Sequence, residues 1–354
     1  MLLARPAPGD VKIDGNENPV GPGPRVLEGL LGMFDEAGRY PFNSDPSQSD
    51  VSSAVAEHVD GTPEHITLGG GSSEVLRSAV RLFVGPDRPL VTSGLSYGSV
   101  ITAAERFGYP WRAVPLDAEL KLDLGAMAEA ARGAGMVYIC NPNNPTATLH
   151  PGTAMERCID RVHATSPETV IVVDEAYHEY VTDPAHRTMI PHAMERRNVV
   201  VTRTFSKAYG LAGLRLGYGV GHPETVAPLR QHQLSANANV LVMGAALAAL
   251  QDPQHVERER ERNAEVRQNT VRFFERAGFR VPESQANFLF VDIGRPASAF
   301  RAACAERNVL VARDFPPMEK THCRISLGTI DEMRRACEVF AAVLGVEAPA
   351  GALQ

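Results

Sequence analysis

The residues best placed to do chemistry lie in Thr202-Arg-Thr-Phe-Ser-Lys-Ala-Tyr-Gly-Leu-Ala-Gly-Leu-Arg-Leu-Gly217, with Lys207 near the centre. In a partly dry, electropositive pocket a lysine ammonium gives up its proton more easily, and the neutral amine can condense with a carbonyl. Thr204, Ser206 and Arg215 bring hydroxyls and a fixed positive charge, groups that hold a phosphate. A second anion-binding candidate is Gly69-Gly-Gly-Ser-Ser-Glu74, where Ser72 and Ser73 open a helical pattern. Glycines let the backbone approach an anion, and the first N–H groups of a helix point at it without partners. In Thr169-Val-Ile-Val-Val-Asp-Glu-Ala-Tyr177, Asp174 ends an apolar run, and a carboxylate in such surroundings requires a cationic partner. Arg324, in Cys-Arg-Ile-Ser-Leu-Gly-Thr, has a planar fork that suits a carboxylate or a phosphate equally.

The elements that position these groups follow from hydrophobic pattern. Asn198 to Val201 reads as a buried strand, which puts Lys207 in the loop beyond its carboxyl end. Ile66-Thr-Leu, Leu90-Val-Thr, Met136 to Cys140 and Thr169 to Val173 read as further strands. Val75, Leu76, Ala79, Val80 and Phe83 recur at helical spacing. Asn141-Pro-Asn-Asn-Pro-Thr146 must turn, and it displays amide side chains after a strand. A helix is expected from Ala236 to Leu250. His255 to Asn263, dense in both charge signs, is expected to be a solvated helix face. Strands at Asn287 to Ile293, Val309 to Ala312 and Cys323 to Leu327, with a helix from Asp331 to Leu344 capped by Asp331, suggest a smaller α+β unit. Asp14 to Pro24, rich in Pro and Gly, reads as an extended surface segment.

Taken in order, these motifs resemble fold-type I pyridoxal 5′-phosphate enzymes, most closely the histidinol-phosphate aminotransferase family, along nearly the whole chain. The resemblance implies an α/β fold with a large, mostly parallel sheet flanked by helices and a smaller α+β domain. It divides the chain into an amino-terminal segment at 1–40 that accompanies the small domain and the dimer interface, a large domain at 41–245 and a small one at 246–354. It implies that Lys207 carries the cofactor aldehyde, that Asp174 faces a protonated pyridine nitrogen, and that Asn144 and Tyr177 share the ring's 3′-oxygen. Tyr97 would stack on the ring, while Ser72, Ser73, Thr204, Ser206 and Arg215 would hold the phosphate. Arg324 and Arg313 would grip the substrate's anionic group, with Asn16 and Glu17 bordering its pocket. Tyr40, in Arg-Tyr-Pro, would reach the other subunit's cofactor phosphate across a homodimer. Where the family continues Asn-Pro-Thr with glycine this chain has Ala147, a departure that bears on any positive φ there.

The implied reaction is transamination in two halves. An amino donor leaves its nitrogen on the cofactor, and a 2-oxo acid collects it. The resemblance implies histidinol phosphate as the donor, with an amino acid of specialised metabolism as the alternative, and other chemistries of the same cofactor share the fold. A non-catalytic α/β protein binding a nucleotide or phosphorylated metabolite is the reading from another class. The formal net charge of −7 offers no general attraction to nucleic acid or to anionic membranes. Five cysteines without a CxxC pair favour a reducing compartment, and no signal peptide or membrane span is expected, so the expectation is a cytoplasmic protein. His178-Glu179 does not extend to His-Glu-x-x-His, and no metal is assigned.

Overall fold

In the computed structural model, residues 9–40, 50–234 and 237–347 are described. Runs of β-branched residues form the strands. Seven of them make one sheet: β2 (Ile66–Gly69), β3 (Leu90–Thr92), β4 (Trp111–Ala113), β5 (Met136–Cys140), β6 (Val170–Asp174), β7 (Val199–Thr204) and β8 (Gly217–Gly221), in the order β2-β8-β7-β6-β5-β3-β4. β8 runs antiparallel to both neighbours, and the other pairings are parallel. Alternate residues of the central strands enter different cores. Val137, Ile139, Ile171, Val173, Val199 and Val201 face one cluster, and Tyr138, Cys140, Val172 and Val200 face the other. The second face is covered by helices Ser72–Phe83 and Ser99–Phe107.

A second core is built on β9 (Phe288–Asp292) and β11 (His322–Ser326), which pair antiparallel, and on β10 (Val309–Val311). The amino-terminal β1 (Val11–Ile13) pairs parallel with β10 and joins this cluster. Helix Pro24–Gly32 instead packs on helix Val240–Leu250, where Gly29 lies against the Gly244 carbonyl and Ala248. The expected 245/246 boundary therefore falls inside a helix. Residues 240–250 are apolar nearly throughout and bury themselves in the large core.

Four local expectations are corrected. The last helix spans Ile330–Leu344 and is capped by Thr329, which forms a reciprocal capping box with Glu332; Asp331 lies within the first turn. The charged stretch at 255–263 is not wholly solvated: Glu259 and Asn263 are buried, and Tyr180 donates its hydroxyl hydrogen to Glu259. The extended segment Asp14 to Pro24 is only partly at the surface: Gly15, Glu17 and Val20 are exposed, but Asn16 and Asn18 are buried, bonded to Ser326 and to the Ala208 carbonyl. The helix expected from Ala236 begins at Val240; Ala236 itself lies outside the described residues. No helix among the described residues is long and apolar enough to cross a membrane.

Candidate active site

The carboxyl ends of β3, β5, β6 and β7 open into a cavity of about 370 Å³ between the two cores. Fourteen of the fifteen candidate residues border it, which in one chain leaves only Tyr40 outside, with 88% of its surface exposed. At one end, Gly71 (φ +82°) turns the chain out of β2 so that Ser72 and Ser73 begin the helix with free N–H groups. A Cβ on Gly71 would land on the Arg215 guanidinium. Arg215, itself at φ +65°, donates to the Ala212 carbonyl and to Ser206 Oγ at 2.8 and 3.3 Å. Thr204 Oγ1 accepts from the Ser206 N–H, and Ser73 Oγ lies 3.1 Å from the Tyr97 hydroxyl. Hydroxyls, helix N–H groups and one arginine converge there as an anion cradle.

Asp174, which also lines the cavity, ends β6 and is 2% exposed. Its hydrogen-bond partners are neutral: Tyr138 donates to Oδ2 at 2.7 Å and Thr202 to Oδ1 at 3.1 Å. Burial pushes the carboxyl up to about 6 in spite of these donors. A buried carboxylate that lines a cavity and has only neutral donors is suited to a cationic ring nitrogen.

Lys207, half-buried, lines the same cavity, with Nζ donating to the Asn16 and Gly15 carbonyls at 3.0 and 3.3 Å. Burial, with Arg324 and Arg215 nearby, pushes the amine down to about 8. Tyr177 Oη accepts from Asn16 Nδ2 at 3.2 Å and Asn144 Nδ2 at 3.1 Å, which leaves its own proton free to donate. Arg324 reaches Asn144 Oδ1 and the Asp14 carbonyl at 2.9 and 2.7 Å, and its Nε is buried without a partner. Arg313 stands at the rim, and the Phe315 ring lies 4.6 Å from its guanidinium and 4.9 Å from that of Arg324. Glu17 borders the mouth and pairs with Lys12. Ala147 does take φ +63°, so alanine occupies a conformation that glycine enters without penalty; the strain is roughly 1 kcal/mol.

Sequence reasoning missed Tyr138 and Thr202. Tyr138 sits in a strand that reads as core, where its only signal is a hydroxyl in an otherwise apolar run, and Thr202 opens the lysine segment but lies in β7, beyond the strand read from Asn198 to Val201. Asn16 was recognised as bordering the pocket, but not as the residue tying β11 to Tyr177. That requires its left-handed φ of +54° and its contacts with Ser326.

A doubly wound sheet with a lysine, an aspartate and an anion cradle at its carboxyl edge defines a fold-type I aminotransferase. The family profile for aminotransferase class I and II matches residues 14–340, and the chain belongs to that family. It is accordingly an enzyme of the pyridoxal 5′-phosphate-dependent aminotransferase class, which sets aside the non-catalytic alternative. A histidinol-phosphate aminotransferase of Symbiobacterium thermophilum is 37% identical, over 95% of this chain and 91% of that one. An aromatic amino acid aminotransferase of Thermobifida fusca is 35% identical over 91% and 87%. The crystal structure of histidinol-phosphate aminotransferase from Sinorhizobium meliloti in complex with pyridoxal 5′-phosphate superposes with a TM-score of 0.85 at 30% identity, covering 94% of this chain and 90% of that one.

Proposed function

We propose that the cavity holds pyridoxal 5′-phosphate and moves an amino group between histidinol phosphate and 2-oxoglutarate. The observation that carries this reading is the division of labour around one cavity. It combines an amine that deprotonates near pH 8, a buried carboxylate with only neutral donors, and an arginine with an unsatisfied Nε. The cofactor supplies a carbonyl that takes up an amine and a ring that withdraws electrons. Ser72, Ser73, Thr204, Ser206 and Arg215 would hold its phosphate, Asp174 its ring nitrogen, and Asn144 and Tyr177 its 3′-oxygen, with Tyr97 offering a ring to stack. Lys207 Nζ, once free and neutral, accepts the donor's α-proton and carries it along the cavity. Arg324 and Arg313 hold the substrate's anionic group beside Asn16 and Glu17.

The same proposal makes the enzyme a homodimer in which the partner subunit's Tyr40 completes the phosphate site. Leu27, Leu31 and Phe34, each at least half exposed on the same amino-terminal stretch, support such an interface. A cytoplasmic setting is supported by five cysteines that are all buried free thiols.

One observation favours a second donor class. The Phe315 ring beside both arginines gives the anion-binding end an apolar wall, which suits an aromatic amino acid. Single half-reactions with histidinol phosphate, histidine, glutamate, arginine and the aromatic amino acids test both readings through loss of the bound cofactor's visible band. If histidinol phosphate leaves the band intact while tyrosine or phenylalanine removes it, the second reading replaces the first. If no donor changes it, the assignment of this cavity fails.

A further inference from the structure

The register of the central strands places Tyr138 and Thr202 on the same face as Asp174. β6 and β7 align Asp174 with Thr202, while β5 and β6 align it with Cys140, two residues beyond Tyr138. Both hydroxyls donate to the carboxylate, one to each oxygen, and all three residues are almost fully buried. The other titratable groups acting on this carboxylate are Glu175, Cys140 and Lys207. Glu175 is committed to Arg203 by an ion pair at 2.9 Å.

We propose that Tyr138 and Thr202 are positioning residues that decide where one proton resides, keeping it on the ring nitrogen of the bound cofactor instead of on Asp174. This rests on the assignment of the cavity to pyridoxal 5′-phosphate. Two groups compete for the proton: a pyridine nitrogen and a carboxylate raised in basicity by burial. Each donated hydrogen bond stabilises the anion and lowers the basicity of Asp174, and the proton then stays on nitrogen. A lysine or arginine at either position would also hold the carboxylate ionised, but it would neutralise the charge that must face the ring. Hydroxyls stabilise the anion while leaving that charge uncompensated. The chain thus obtains an ionised aspartate without a competing cation, and the counter-charge comes with the ligand.

The test uses the holoenzyme reconstituted with cofactor carrying ¹⁵N at the ring nitrogen, and compares wild type with Tyr138→Phe, Thr202→Val and the double variant. The ¹⁵N chemical shift reports the proton directly, whereas a purely structural role would leave it in place. We expect the protonated-pyridine shift in wild type and a displacement toward the neutral-pyridine value in each single variant. The double variant should show the largest displacement, with kcat about tenfold lower or more and the donor KM little changed. Thr202→Ser should return the shift toward that of wild type. Both Tyr138→Phe and Thr202→Val keep shape, and either one alone suffices if the double variant does not fold. A single or double variant that binds cofactor and keeps the wild-type ¹⁵N shift overturns the proposal. A wild-type protein that fails to take up the cofactor overturns instead the reading on which it rests.

Discussion

Replacing Lys207 by methionine should make the apoprotein more stable while abolishing turnover. The magnitude follows from the amine's surroundings. Its pKa has fallen from 10.5 to about 8, so the folded state disfavours the charged form by roughly 3 kcal/mol at neutral pH. Methionine fills much of the same volume without that cost, but it forfeits the two hydrogen bonds from Nζ to the Asn16 and Gly15 carbonyls, each worth about 1 kcal/mol. The Asn16 carbonyl still accepts from Asn287 Nδ2 at 3.1 Å, which limits the loss. A net gain of about 1–2 kcal/mol is expected at pH 7. The sign with pH is definite. Between about 8 and 10.5 the unfolded lysine holds a proton that the folded one has released, so wild-type stability rises through that window. The advantage of Lys207→Met is therefore full below pH 8, shrinks above it and reverses toward pH 10.5. Urea unfolding of both apoproteins from pH 7 to 10 measures it. A difference that stays constant over that range, or a wild type that is the more stable at pH 7, would refute the reasoning.

Three further outcomes follow from the same geometry. Arg324→Lys removes a fork that already spans Asn144 and the Asp14 carbonyl at the cavity wall, and kcat/KM for the true donor should fall about 100-fold, or roughly 3 kcal/mol. Steady-state kinetics that leave kcat/KM unchanged would remove Arg324 from substrate binding. Gly71→Ala forces a side chain at φ +82° into the Arg215 guanidinium, so cofactor affinity measured by equilibrium titration should weaken about tenfold or more, a loss of at least roughly 1.4 kcal/mol. Unaltered affinity would mean that this turn does not shape the anion cradle. Glu175→Gln leaves the buried Arg203 without its carboxylate and should cost about 3–5 kcal/mol in denaturant unfolding; a loss below 1 kcal/mol would show that Arg203 finds another partner.

The order of motifs from the glycine turn to Arg324 was legible because each depends on short-range rules. A β-branched run makes a strand, glycines and prolines make the turns after it, and polar residues gather where parallel strands end. Asp174 and Lys207 could be singled out for the same reason, since Asp174 ends an apolar run and Lys207 lies in the loop after one. Tyr138 and Thr202 could not. Along one strand a hydroxyl among valines says only which face it takes, and its partner depends on which strand lies alongside and in what register. The cap was misplaced at Asp331, although Thr329 and Glu332 carry the spacing of a capping box. The burial of Glu259 was not, because it depends on Tyr180, a residue 79 positions away.

Local pattern thus indicated the class of fold and the candidate residues of each loop, and the resemblance carried by those motifs indicated the family to which the chain belongs. Tertiary structure decided three things: that Asn16 crosses from the small core to reach Tyr177 and Lys207, that helix Val240–Leu250 belongs to the large core, and that Asp174 meets two hydroxyls and no cation. The physical reason is range. Backbone propensity and hydrophobic period act over a few residues, whereas burial, hydrogen-bond partnership and the basicity of Lys207 and Asp174 depend on groups that only folding brings within a few ångströms.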